Sequence, residues 1–201
     1  LDSLASNGSG GMLRVIEGVA PESDAAVLTL LGYDPHKYYT GRGPLEAIGT
    51  GAKFKEGMLA LRCNFATTSD SHNLLDRRAG RTLTSREAAL LAAAINKKVR
   101  LTDAKFKFYA SVAHRGVLII SGGGKLSANI TNTDPAYEIR NGIPNALSSF
   151  ERKVKRSAAL DGTAAAMKAA GLVNEFTEKA FAVMDKHPIN AGRRKKGLLP
   201  A

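Results

Sequence analysis

Between Lys105 and Ile120 the chain reads KFKFYASVAHRGVLII, a run that leaves little freedom of fold. Phe106, Phe108, Ala110 and Val112 alternate with Lys107, Tyr109 and Ser111. Side chains of an extended backbone point to opposite faces in turn, so this alternation predicts a half-buried strand. The turn AHRG then leads into VLII, a second and more buried strand. Upstream, Thr84 is followed by Glu87 at capping-box spacing, just ahead of AALLAAAINKK, which reads as a clear helix. SGGGKLS and TNTDP read as loops; the former lacks phosphate-loop spacing and opens no periodic helix. The block from about 70 to 145 therefore reads as a compact α+β unit.

The flanks are simpler. Asp2 to Asn7 reads as the end of a helix closed by Gly8. Met12 to Ile16 is expected to form a strand. ESDAAVLTLLG reads as a short helix, with Ser23 as its N-cap and Gly32 at its end. Met58 to Leu61 has the character of a short buried strand, and NFATTSDSHN that of a polar loop at a domain crossing. Ser148 to Asn190 reads as helix, its buried stripe marked by Ala165, Ala169, Leu172, Phe176, Ala180 and Val183, with Pro188 as its stop. NAGRRKKG reads as a basic connector.

Hydrophobic residues make up 44% of the 201 residues and charged residues 23%, ordinary values for a packed domain. A net charge of +11 favours anionic partners: nucleic acid, acidic lipid or phosphorylated metabolites. The single cysteine, Cys63, excludes an internal disulfide and fits a reducing compartment. No apolar run is long enough to span a membrane. The ends, LDSLASNG and KKGLLPA, give the impression of a piece of a longer protein.

Arginine is the residue type most suggestive of chemistry. DRRAGR places Arg77, Arg78 and Arg81 together; Arg62 and Asn64 fall in LRCNF, Arg42 in TGRGP, and Arg115 follows His114. An arginine beside glycine or in a turn lets backbone and guanidinium both approach an anion. The same residues also suit a solvated basic face. The placement in turns, without a basic helix stripe, favours pockets over a nucleic-acid surface. Ser23 has two readings as well. It can cap its helix, or it can present a hydroxyl to a phosphate at the positive helix end. No H-x-x-x-H or C-x-x-C spacing marks a self-contained metal site. In LLGYDPHKYYTGRGPLEA, Gly41 and Gly43 would let the chain turn tightly around Arg42, with Asp34-Pro35 fixing the approach.

Taken in order, ESDAAVLTLLGYDPHKYYTGRGPLEAIG, LRCNFAT, DRRAGR, AHRGVLII, NTDP and HPINAGRRKKGLLPA resemble the archaeal type of cofactor-independent phosphoglycerate mutase. LDSLASNG is similar to the segment after the first metal-binding aspartate of the wider alkaline phosphatase superfamily. The resemblance covers nearly the whole chain. It implies an α/β fold, part of an alkaline-phosphatase-like core with an inserted smaller α+β domain. Residues 1–69 would belong to the core, 70–145 to the inserted substrate-binding domain, and 146–201 to a helical return. It further implies a cytoplasmic isomerase that interconverts 3-phosphoglycerate and 2-phosphoglycerate through a phosphoserine. No 2,3-bisphosphoglycerate would be needed, and neither nucleic acid nor membrane would be a partner. The resemblance puts the nucleophile on Ser23, which would also touch one of two divalent ions. Those ions are expected to be manganese, with magnesium, cobalt or zinc as alternatives, and their other ligands are expected outside this chain. Arg42, Arg62, Asn64, Arg77, Arg78, Arg81, His114 and Arg115 would bind substrate. Glu22 and Val27 stand where the family usually has a glycine before and a histidine after its serine. Another metal-dependent phosphotransferase of the superfamily, or a basic nucleic-acid-binding module, are the alternative readings.

Overall fold

The computed structural model describes residues 1–18, 22–69, 72–140 and 142–201; Asp70 of the polar stretch NFATTSDSHN lies outside them. The chain divides into two units, Leu1–Tyr39 with Ile139–Ala146, and Thr40–Glu138 with Leu147–Ala201. Secondary structure is mixed helix and sheet, as expected from the sequence.

The first unit holds three short helices, α1 (Asp2–Asn7), α2 (Ser23–Leu30) and α3 (Pro35–Tyr38). Gly32 closes α2 as predicted. At φ 86° it lets the Tyr33 amide reach back to the Leu28 carbonyl at 2.9 Å, a left-handed helix stop. Ser23 is not the cap: Glu22 holds the extended N-cap conformation, and Ser23 is the first helical residue. Asp34 caps α3 by accepting from the His36 amide at 2.9 Å, with Pro35 in the first helical position. Met12–Ile16 forms no strand. Met12 and Leu13 are exposed, while Ile16 is buried against Ala25 and Ile143 with Val15 partly buried beside it.

The second unit begins with α4 (Arg42–Gly49), then β1 (Leu59–Asn64), β2 (Thr67–Thr68) and β3 (Leu74–Asp76). Strand β1 thus runs three residues past the predicted end, and NFATTSDSHN is partly strand, because β2 pairs with β3. Next come a 3₁₀ turn at Ala79–Arg81, α5 (Ser85–Lys98), β4 (Lys105–Ala110) and β5 (Arg115–Ser121). Strand β6 (Tyr137–Arg140) pairs with β7 (Ile143–Ala146); β7 and the last two residues of β6 belong to the first unit. The chain ends in α6 (Ala164–Asp185) and α7 (Pro188–Lys195). Helix α6 starts at Ala164, not Ser148, where Thr163 supplies the N-cap by accepting from the Ala166 amide. Pro188 does stop α6, but it also starts α7, so the basic segment is helical rather than a connector.

An antiparallel sheet in the order β1-β5-β4 organises this unit. Leu59, Leu118, Ile120 and Phe108 point to one face, covered by Leu91 and Ile95 of α5 and Phe176 of α6. Residues one step out of phase point the other way. Ala60, Val117 and Ile119 meet Ala47 of α4 there. Gly43 makes that contact possible: a Cβ at this position would lie 1.9 Å from the Ala60 carbonyl oxygen. Its role is close helix–strand packing, whereas Gly41, at φ 92°, alone supplies the tight turn before Arg42. The capping box of α5 is complete, Thr84 and Glu87 exchanging backbone and side-chain bonds. Among the described residues no helix is long and apolar enough to cross a membrane.

Candidate anion-binding site

The strand pleat does the first part of the work. Arg62 and Asn64 follow Ala60 at two-residue steps on β1, so they occupy the sheet face turned toward α4. Asn64 stands opposite Arg115 on β5, and the Phe65 amide donates to the His114 carbonyl at 2.7 Å. Ser111 closes the β4–β5 turn, its amide donating to the Arg115 carbonyl at 2.9 Å. The end of β1 and the β4–β5 turn therefore share one corner of the sheet.

That corner is short of hydrogen bonds. Arg62 Nε, Asn64 Oδ1, Ser111 Oγ and His114 Nδ1 are all buried with no hydrogen-bond partner. A buried polar atom left unpaired costs about 1–3 kcal/mol, and native folds leave few of them. Four within one corner mark a place built to be completed by something else.

Electrostatics identify what that something carries. Burial lowers the His114 pKa, and Arg115, Arg78, Arg62 and Arg81 push it further in the same direction. Burial likewise lowers the Arg62 pKa; Arg42 and Arg115 add to this, while Glu46 opposes it. Arg42, Arg62, Arg78, Arg81, Asn64, His114 and Arg115 thus form one electropositive neighbourhood, and a negative ligand would relieve both the repulsion and the missing hydrogen bonds. Glu46 is the counter-charge in this group. Its Oε1 lies 3.4 Å from Arg42 Nε and 3.6 Å from Arg62 Nε. Glu46 is not among the residues that stand out in the sequence. The signal was its four-residue spacing from Arg42, legible once that loop is recognised as helix α4.

The segment DRRAGR has a geometry of its own. Asp76 Oδ1 accepts from the amides of Arg78 (2.7 Å) and Gly80 (2.8 Å). Ala79, Gly80 and Arg81 follow with φ of 48°, 64° and 55°, three consecutive left-handed residues. A left-handed backbone at a non-glycine residue persists only where surroundings impose it. Arg77, Arg78 and Arg81 all line a hollow of about 240 Å³ with Asp76, Phe150 and Arg152. Arg77 differs from its neighbours. Its guanidinium clasps Asp134 through three hydrogen bonds of 2.7–3.1 Å and lies over the rings of Tyr137 and Phe150. A larger hollow of about 480 Å³ flanks the opposite end of β1 and β5, where Lys125 already pairs with Glu56 at 3.1 Å.

Ser23 belongs to the first unit, exposed at the first turn of α2, which has no side-chain cap. Asp24 beside it accepts from the Tyr39 hydroxyl at 2.6 Å. Among the described residues no group of three or more His, Cys, Asp or Glu side chains is placed to hold a metal ion.

A sequence model of 2,3-bisphosphoglycerate-independent phosphoglycerate mutase matches residues 5–190, almost the full chain. The chain belongs to this family. Curated phosphoglycerate mutases of that name from Aeropyrum pernix and Methanopyrus kandleri are 48% and 43% identical to it, each alignment covering 100% of this chain but 48% and 45% of the relative. A solved cofactor-independent phosphoglycerate mutase from Thermoplasma acidophilum superposes with a TM-score of 0.66 at 34% identity, over 85% of this chain and 42% of that one. The chain therefore spans about half the length of the mutases it matches.

Proposed function

We propose that the whole protein interconverts 3-phosphoglycerate and 2-phosphoglycerate, with this chain supplying the substrate clamp and the phosphoryl carrier. Family membership supports the reaction class. The observation that carries the clamp is the corner where four buried polar atoms lack hydrogen-bond partners amid Arg62, Arg78, Arg81 and Arg115. A phosphoglycerate presents two anionic groups about one glycerate apart, and forked guanidinium groups match both carboxylate and phosphate.

Ser23 is the proposed carrier. Its oxygen would form a bond to phosphorus as the substrate's own P–O bond breaks, leaving glycerate in place. Glycerate would then turn, and its other hydroxyl would take the phosphoryl group back from Ser23. The exposed first turn of α2 suits this role, since helix amides and the positive helix end favour phosphate. In the proposal the arginines keep the free glycerate from leaving between the two transfers. The whole protein would draw on two divalent ions, with manganese as the expected metal. Ser23 would also touch one of these ions, their other ligands being expected from the rest of the longer protein, while this chain would bind and position the substrate and accept the phosphoryl group. We also place residues 1–69 and 146–201 in the phosphatase-like core of the longer protein, and 70–145 in its substrate domain.

The test is a trapped intermediate. Full-length protein mixed with metal and phosphoglycerate and quenched within a turnover should carry phosphate on Ser23, and Ser23→Ala should lose both phosphate and turnover. Phosphate mapped to any other side chain would refute the carrier assignment.

A further inference from the structure

The segment HPINAGRRKKGLLPA contains an arginine that the substrate clamp does not use. Arg193 on α7 is 2% exposed, the largest fully buried side chain among the described residues. An arginine carries its charge at all ordinary pH, so complete burial requires a full set of acceptors. Arg193 has them. Its Nε donates to the Leu199 carbonyl at 2.9 Å and its Nη2 to Thr82 Oγ1 at 2.7 Å. Its Nη1 lies 3.2 Å from the Thr82 carbonyl and 3.1 Å from Glu87 Oε2.

Thr82 directly follows the left-handed run Ala79–Arg81, and its hydroxyl also donates to the Ala79 carbonyl at 3.2 Å. Leu199 packs 3.4 Å from the point where a side chain on Gly80 would begin. Asp76 thus holds this turn from one side through the Arg78 and Gly80 amides, and the Arg193 group holds it from the other. The strained geometry that presents Arg78 and Arg81 is over-determined by these two anchors.

We propose that Arg193 is a positioning residue for substrate binding: through Thr82 it fixes the Ala79–Arg81 turn and so aims Arg78 and Arg81. This inference rests on the reading that those two arginines meet the phosphorylated substrate. The guanidinium fork is essential to it, because one side chain must reach Thr82, Leu199 and Glu87 together, which a lysine ammonium on a single point cannot do.

The experiment compares Arg193→Lys, Thr82→Val, Arg81→Ala and the double variant Arg81→Ala/Arg193→Lys in the full-length protein, well below each melting temperature. Arg193→Lys should raise KM for 3-phosphoglycerate about tenfold with kcat much less affected, since misaimed binding groups act first on affinity. Thr82→Val deletes the hydroxyl contact while the Thr82 and Leu199 carbonyls and Glu87 still hold the guanidinium, and it should raise KM in the same direction, so the inference stays testable if Arg193→Lys folds poorly. In the Arg81→Ala background Arg193→Lys should raise KM by clearly less than tenfold, since only Arg78 is then left to be misaimed. If Arg81→Ala raises KM while Arg193→Lys and Thr82→Val leave it within about twofold and lower only the melting temperature, Arg193 is a stability element and the inference fails. If Arg78→Ala and Arg81→Ala also leave KM unchanged, the turn does not meet substrate, and the reading beneath the inference fails with it.

Discussion

Arg77 and Arg81 are four residues apart and alike in sequence, yet their surroundings give them different work. Arg77 is spent on Asp134 and two aromatic rings. Arg77→Ala would leave a half-buried carboxylate without its partner and should destabilise the fold by about 2 kcal/mol, read as a lower urea midpoint. Arg81 is exposed, so Arg81→Ala should leave the midpoint nearly unchanged and weaken substrate use instead. Glu46→Gln belongs at this scale too. It keeps the side-chain shape but removes the charge behind Arg42 and Arg62, and should raise KM severalfold with little change in melting temperature. Equal KM values for the two proteins would show that Arg62 holds its direction without Glu46. His114 offers a proton count. Burial and four arginines disfavour the protonated imidazole, and a bound phosphate would offset those cations. Ligand binding near pH 6 should therefore take up a proton at His114, seen as a binding heat that depends on the buffer, and the dependence should shrink in His114→Asn.

At the scale of elements, the parts with strong local signals were legible from sequence. The capping box of α5, the alternation of β4 and the apolar run of β5 are all where the pattern put them. Each signal is local, carried by a fixed spacing along one segment. What escaped was settled by contacts distant in sequence. Strand β1 continues through Arg62, Cys63 and Asn64 because β5 pairs with it along its whole length, although those residues are polar enough to read as loop. Gly43 looked like a turn glycine and is a packing glycine, since the strand it touches lies far along the chain. Arg193 sat among basic residues in a segment read as connector, and no short pattern marks an arginine that will be buried. For the site, the arginines and His114 could be picked out by type and by neighbouring turn residues. Their convergence, and the selection of Arg77 for a structural pair, depended on the fold. Gly43→Ala tests the packing role. A methyl group cannot fit 1.9 Å from a carbonyl oxygen, so α4 must shift off β1. The expected result is a loss of about 2 kcal/mol or more, with weaker substrate binding as Glu46 moves with its helix.

For the molecule as a whole, acid should unfold it in two stages. His114 and His187 both have pKa values lowered by burial, with nearby cations adding to the effect. His187 also caps α7, its Nδ1 accepting from the Ile189 amide at 3.2 Å, which only the unprotonated nitrogen can do. Above the ordinary histidine value of about 6.5 neither folded nor unfolded chain is protonated at these sites, and stability is at its plateau. As pH falls through that value the unfolded chain takes up protons that the fold refuses, so stability declines. The carboxylates act lower. Burial tends to raise Glu87 and Glu175, but hydrogen bonds from Thr84 and Arg193, and from Lys179 and Thr102, outweigh it and depress both. Their contribution is present above about 4.5 and is lost as pH falls through the depressed values. The melting temperature should stay level from pH 8 to 7, drop gently from about 6.5, and fall more steeply below about 4.5. His114→Asn/His187→Asn should flatten the upper decline while keeping the lower one, since asparagine also caps a helix.

The left-handed run at Ala79–Arg81 sets durability against usefulness. Arg81 holds a backbone shape that costs a residue with a side chain about 1–2 kcal/mol, whereas glycine adopts it freely and gives back roughly 0.5–1 kcal/mol through a looser unfolded chain. Arg81→Gly should accordingly yield a slightly hardier protein that, on the proposed function, binds its substrate less well. Selection for heat resistance alone would drift toward glycine there, and an arginine in that place is a mark of the work the turn is kept for.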